Sequence, residues 1–164
     1  MYFPAFHPQS VATHATVIHM MSDRLLNDRK LWNWMDSCGC RHFSVLAGAS
    51  ICSLPLFQEQ DWLPDFDAIR PAVWDQLKLF VLGYPHNPTA TVGNQELLDQ
   101  AMARGCRHQL VIANDNPYVD LALEGEAPSL LRSPGWSEWG IEFFSLSKGW
   151  CLGGFRLAFA IGAE

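Results

Sequence analysis

Residues 77–89 read LKLFVLGYPHNPT. Leu77 to Leu82 is a short, nearly continuous apolar run that breaks into a loop of glycine, proline, asparagine and threonine. That pattern predicts a strand buried on both faces, the kind a parallel sheet requires. The flanking text agrees. Asn94 to Arg104 (NQELLDQAMAR) has apolar residues at helical spacing, with Asn94 as the cap and Gly105 as the stop. Leu110 to Ala113 reads as a second buried strand, Ile141 to Leu146 as a third and Phe155 to Ile161 as a fourth. Strand, loop, helix, strand is the rhythm of an α/β fold with a mostly parallel sheet.

Upstream the text is less regular. Residues 1–40 hold three of the six histidines and no clean strand, though Asp23 to Met35 could form one amphipathic helix. Ser44 to Leu56 reads as a helix end, Gly48, then a strand; Trp62 to Ile69 reads as a turn into a short helix, with Asp65 as its N-cap. The regular pattern starts near Phe43. We therefore expect an N-terminal segment, 1–42, foreign or frameshifted in origin, and a patterned region, 43–164.

Composition sets the broad class. With 49% hydrophobic and 17% charged residues in 164, the chain is globular and long enough for a real core. A net charge of −6 speaks against nucleic-acid binding. No apolar run reaches bilayer length and no signal peptide is evident, so a cytoplasmic location is expected. Five cysteines at irregular spacing fit no disulfide framework. Cys38, Cys40 and His42 lack the second pair that a zinc site needs, so no metal is expected.

Chemistry collects where the strands end, which is where open parallel sheets bind ligands. The first strand is followed by Tyr84-Pro85-His86-Asn87-Pro88-Thr89, the second by Asn114-Asp115-Asn116-Pro117-Tyr118, and the third by Ser145-Leu146-Ser147-Lys148. A coenzyme that forms an imine needs an amine for its aldehyde, an anion beside its pyridine nitrogen, donors to its ring hydroxyl, and a cation with hydroxyls for its phosphate. Lys148, Asp115, Asn87 with Tyr118, and Arg156 with Ser145 meet those needs in turn.

These motifs carry a family resemblance. YPHNPT (84–89), DNPY (115–118), and SLSK followed by GGFRLAFAIG (145–162) resemble the class I/II aminotransferases, the fold-type I enzymes that use pyridoxal 5'-phosphate. The spacing resembles theirs too: three from Asp115 to Tyr118, three from Ser145 to Lys148, eight from Lys148 to Arg156. The resemblance implies a partial three-layer sandwich like the family's large domain, and transamination between an amino acid and a 2-oxo acid. It implies Lys148 as the catalytic, coenzyme-bonding lysine and Asp115 as the partner of the pyridine nitrogen. It implies Tyr118 and Asn87 as donors to the ring hydroxyl, and Ser145 and Arg156 as phosphate ligands. It also implies a homodimer in the full-length protein.

Ordinary readings stand beside each assignment. A lysine at a strand end can be an ion-paired structural residue, and Asn-Asp-Asn-Pro is also turn chemistry. His86 reads as a loop residue. The family usually has glycine after NPT, where Ala90 stands here. Family members are more than twice as long, so a fragment is expected, with activity of its own in doubt. The alternative is a non-catalytic aminotransferase-like binding or regulatory domain. Residues 1–42 show no helix-turn-helix pattern to support it.

Overall fold

The computed structural model describes residues 16–22 and 50–163. The chain divides into two compact units, residues 1–80 and 81–164.

In the first unit, β1 (Thr16–Ser22) pairs in parallel with β2 (Ser50–Leu56), Thr16 facing Ser50 and Ser22 facing Leu56. The expectation of no strand before residue 40 is corrected by β1. The helix anticipated over Asp23 to Met35 lies outside the described residues. At Trp62 to Ile69 no helix forms: the Asp65 Oδ1 accepts from the amides of Asp67 and Ala68, at 2.9 and 3.2 Å, and so closes a turn. The helix comes later, as α1 (Pro71–Trp74), opened by proline at its first position. It leads into β3 (Leu77–Leu82). Trp74 and Phe80 stack with centroids 5.6 Å apart, and Phe66 packs on Phe80 at 5.7 Å. All three are buried, with Leu54, Leu56, Ile69 and Leu77, and form this unit's core.

The second unit begins within β3, whose Val81 and Leu82 are buried as the apolar run predicts. Next comes α2 (Gln95–His108), capped by Asn94, whose Oδ1 accepts from the Leu97 amide at 2.9 Å. Leu97, Leu98, Ala101, Met102 and Gly105 make its buried face. Gly105 does not stop the helix. It lies inside it because a Cβ there would sit 2.7 Å from Ile112 Cγ1, and the stop falls at Gln109 in the left-handed conformation. After α2, β4 (Val111–Asp115) pairs in parallel with β5 (Gly140–Ser145), which α3 (Trp136–Trp139) precedes. Then α4 (Leu146–Gly149) leads to β6 (Ala158–Gly162), antiparallel to β5. The fourth strand thus starts three residues later than expected. Gly153 to Phe155 form a tight helical turn and Arg156 is left-handed, so neither can extend a strand.

The strands of this unit run β4, β5, β6 in space. Burial falls along that order: Ile112 and Asn114 are fully buried, whereas Leu157 and Phe159 are half exposed. The α/β class with a mostly parallel sheet holds.

Candidate active site

The loop after β3 is held by its own polar groups. Tyr84 is buried, and its amide donates to Asn114 Oδ1 at 3.3 Å. Burial also pushes its hydroxyl well above the usual tyrosine range, so it stays neutral. His86 and Thr91 close the loop by an amide-to-carbonyl bond of 2.8 Å, and the Ala90 amide donates back to the His86 carbonyl at 2.8 Å. His86 Nδ1 and Thr89 Oγ1 are 2.8 Å apart. Both prolyl bonds, Tyr84-Pro85 and Asn87-Pro88, are cis. Ala90 has φ +61°, a left-handed backbone that glycine adopts freely and alanine does not, so the loop carries strain at this position. The loop leaves Asn87 exposed.

The end of β4 carries a different tool. Asp115 is half-buried, and loss of solvent pushes its carboxyl above the usual range. Among the described residues no cation pairs with it. Its neighbour Asn116 is tied into the sheet, donating its amide to the Phe143 carbonyl at 2.9 Å. Tyr118 follows, and opens the turn Val119–Leu121.

The end of β5 comes against that turn. Ser145 caps α4, its Oγ accepting from the Ser147 amide at 3.2 Å. Lys148 lies one turn on, exposed, with Nζ 5.8 Å from the centre of the Tyr118 ring. The indole of Trp150 donates to Asp120 Oδ2 at 3.1 Å, so the two loops are clamped beside the lysine. Arg156 is brought towards Ser145 by the antiparallel ladder: Ser145 faces Ala158, and the Leu146 amide donates to the Leu157 carbonyl at 3.2 Å. Neither Lys148 nor Arg156 has a carboxylate partner among the described residues.

Asn87 and Tyr118 line one open cleft of about 550 Å³, walled by Pro85, Val92 and Leu121, with Glu124 at its edge. Of the six residues predicted, Asn87 and Tyr118 share this cleft, Lys148 meets Tyr118, and Arg156 stands two residues before Ala158, the ladder partner of Ser145. Asp115 touches none of the others directly. The structure thus offers a free amine, a free guanidinium and a carboxylate short of a counter-charge. That set fits a ligand with an aldehyde, an anionic group and a basic ring nitrogen, which is what pyridoxal phosphate carries. His86, lining the same cleft, is buried and bonded within its loop as a loop residue should be.

One polar residue escaped the sequence reading. Glu142 is fully buried in β5 and accepts four hydrogen bonds: from Asn114 Nδ2 at 2.7 Å, Asn116 Nδ2 at 3.0 Å, Ser129 Oγ at 2.6 Å and the Leu130 amide at 3.2 Å. The available signal was a lone acid inside an apolar strand, flanked by Ile141 and Phe143.

A mostly parallel sheet with reactive groups gathered at its strand ends defines an α/β ligand-binding domain. Its lineage is specific. Residues 42–164 match the family of aminotransferases of class I and II, and the chain belongs to that family. It is 39% identical over 120 residues to an LL-diaminopimelate aminotransferase of Dehalococcoides mccartyi, a match covering 73% of this chain and 31% of that protein. It is 37% identical over 121 residues to the LL-diaminopimelate aminotransferase of Maridesulfovibrio salexigens, with the same coverage. The solved structure of a probable N-succinyldiaminopimelate aminotransferase from Thermus thermophilus superposes with a TM-score of 0.79 at 32% identity, over 95% of this chain and 38% of that one. The chain therefore spans about a third of the length of the relatives it matches.

Among the described residues no helix is long and apolar enough to cross a membrane, and no cluster of three or more histidines, cysteines or acids could hold a metal. Cys38, Cys40 and His42 lie outside the described residues.

Proposed function

We propose that this chain is the coenzyme-binding part of a pyridoxal-phosphate-dependent aminotransferase, moving an amino group between an amino acid and a 2-oxo acid. The observation that carries the proposal is Lys148: an unpaired amine at a strand end, over Tyr118 and beside the cleft that Asn87 lines. When bound, pyridoxal phosphate supplies an aldehyde that takes up the amino group and a ring that stores the electrons released at the substrate Cα. Lys148 holds the coenzyme through its amine and moves the proton to and from Cα. Asp115 keeps the ring nitrogen protonated, which its unmet charge favours. Asn87 and Tyr118 donate to the ring hydroxyl, and Ser145 and Arg156 hold the phosphate.

Residues 43–164 form the greater part of this coenzyme-binding region, as the family match over residues 42–164 supports. The names of the relatives make diaminopimelate-type donors the first substrates to test, with alanine and aspartate next. In its full-length form the protein works as a cytoplasmic homodimer.

The test is chemical. Pyridoxal phosphate is added to the purified chain, the absorbance followed, the adduct reduced with borohydride, and the peptides mapped. There are only three lysines, Lys30, Lys78 and Lys148. A reduced adduct confined to Lys148 is the expected result. No adduct, or label spread evenly over all three, would sink the proposal.

A further inference from the structure

Glu142 has no part in the chemistry above, yet it sits where three of the site's segments meet. It faces Asn114 across the β4–β5 ladder, while Asp115 faces Phe143. Side chains alternate along a strand. Asn114 and Asn116 therefore both turn to Glu142, and Asp115, between them, turns the other way. Asn114 also accepts the Tyr84 amide, so the same network reaches the root of the loop bearing Asn87. On the third side, Ser129 and Leu130 are bound to Glu142, and Gln95 of α2 grips Ser129 through its amide and carbonyl at 3.2 and 3.1 Å.

The donor set is one-sided. Oε1 receives three groups that can only donate: two amide nitrogens and a backbone N–H. Ser129 Oγ accepts from the Leu131 amide at 3.3 Å, which frees its own proton for Oε2. The donors thus converge on one buried carboxyl group, and no cation is among them. A buried polar group bound only by neutral donors is tolerated where each bond is made. The segments it ties are held in one arrangement.

We propose that Glu142 is a positioning residue, fixing the backbone on both sides of Asp115 and the root of the Asn87 loop. The functional meaning rests on the reading of Asp115 as a coenzyme contact. The test uses the full chain and two readouts: residue-resolved amide exchange, and pyridoxal phosphate affinity from an absorbance titration. Glu142→Met keeps the length and removes every acceptor. It should speed exchange at Asn116 and Leu130 and weaken coenzyme binding by roughly 10-fold or more, the scale seen when residues supporting a ligand shell are lost. Exchange at Leu98, Ala101 and Met102 in α2 should hold, which a general loss of structure would not allow. Glu142→Gln keeps the acceptor Oε1 and should restore binding to within about 3-fold of the parent. Ser129→Ala removes one of the four bonds to Glu142, together with the bond from the Leu131 amide, and decides the matter if Glu142→Met does not fold. It should raise exchange at Asn116 in step with a smaller loss of affinity. Unchanged exchange at Asn116 in either folded variant, or unchanged affinity in Glu142→Met, would overturn the proposal. If exchange responds as expected but the parent chain takes up no pyridoxal phosphate, the coenzyme reading falls and the restraint on Asp115 stands.

Discussion

Two positions in the Tyr84–Gly93 loop bear opposite residues on similar backbones. Gly93 has φ +76° and Ala90 has φ +61°. For an L-residue the left-handed region costs roughly 1–2 kcal/mol. Replacing glycine by alanine recovers about 0.4–1 kcal/mol from the unfolded chain. The backbone part of Gly93→Ala is then a loss of about 1 kcal/mol, and Ala90→Gly should gain about the same. Only Gly93 has a steric part. A Cβ there would meet the Tyr84 ring at 3.1 and 3.2 Å, a few tenths of an ångström too close. Tyr84 is fully buried and cannot swing away. Overpacking of this kind costs about 1–3 kcal/mol, and so small a shortfall belongs at the low end. The total for Gly93→Ala is about 2 kcal/mol, twice the size of the Ala90→Gly gain and opposite in sign. Urea unfolding measures both. With a slope of about 2 kcal/mol per molar, the midpoint should fall by about 1 M for Gly93→Ala and rise by about 0.5 M for Ala90→Gly. Equal and opposite shifts would refute the ring contact. No gain from Ala90→Gly would refute the strain assigned to Ala90.

Two further outcomes follow from single groups. Burial raises the Asp115 carboxyl, so the folded state holds its proton more tightly than the unfolded chain does. Its contribution to stability is complete below the ordinary aspartate value of about 3.9 and is lost as pH rises through the raised one. Asp115→Asn should therefore stabilise the apo chain at neutral pH and not in acid, as read from urea midpoints across pH, while it weakens pyridoxal phosphate binding. The same gain at every pH would contradict the assignment. Asn94→Ala removes the cap of α2 and should cost about 1 kcal/mol; faster amide exchange at Leu97 would show that the loss is local.

The parts of the fold visible in the sequence are those decided by near neighbours. The run at Leu77 to Leu82 specifies a buried strand by itself, and Asn94 with the apolar spacing behind it specifies α2. The strand-end residues were legible because each follows such a run directly. The misplaced boundaries had other causes. Gly105 punctuates a helix in the sequence, but the close approach of Ile112 makes it an interior contact. Phe155 has a strand former's side chain on a backbone set by Gly153, Gly154 and a left-handed Arg156. Glu142 was opaque for a different reason. Its partners stand 12 to 28 positions away, and nothing local says that Asn114, Asn116 and Ser129 turn towards it.

Burial divides the candidate site into two halves with different energetics. The backbone around Asp115 and the root of the Asn87 loop are fixed by Asn114 and Asn116, which the buried Glu142 holds, and by the ladder to Phe143. The half-buried Asp115 side chain turns to the face opposite Glu142. Lys148 and Arg156 stand on the exposed margin near β6, where Phe155 and Leu157 are open to solvent. A long cationic side chain gives up as much as about 2 kcal/mol of rotamer freedom when it is fixed. The cost of ordering a ligand's charged contacts therefore falls almost wholly on the exposed half. The buried half has met its cost during folding, at the expense of a carboxylate that has lost water and gained no cation. Such a division gives the two halves separate tasks. On the proposed reading the exposed half would set how tightly an anionic group is held, because its bonds form only on binding. The buried half, on the same reading, would set the protonation of whatever lies against Asp115, because its geometry is in place beforehand. On the proposed coenzyme reading the ring must carry a proton to accept electrons, so that second property has to be the more rigid of the two, and the Glu142 network fixes the backbone on either side of Asp115.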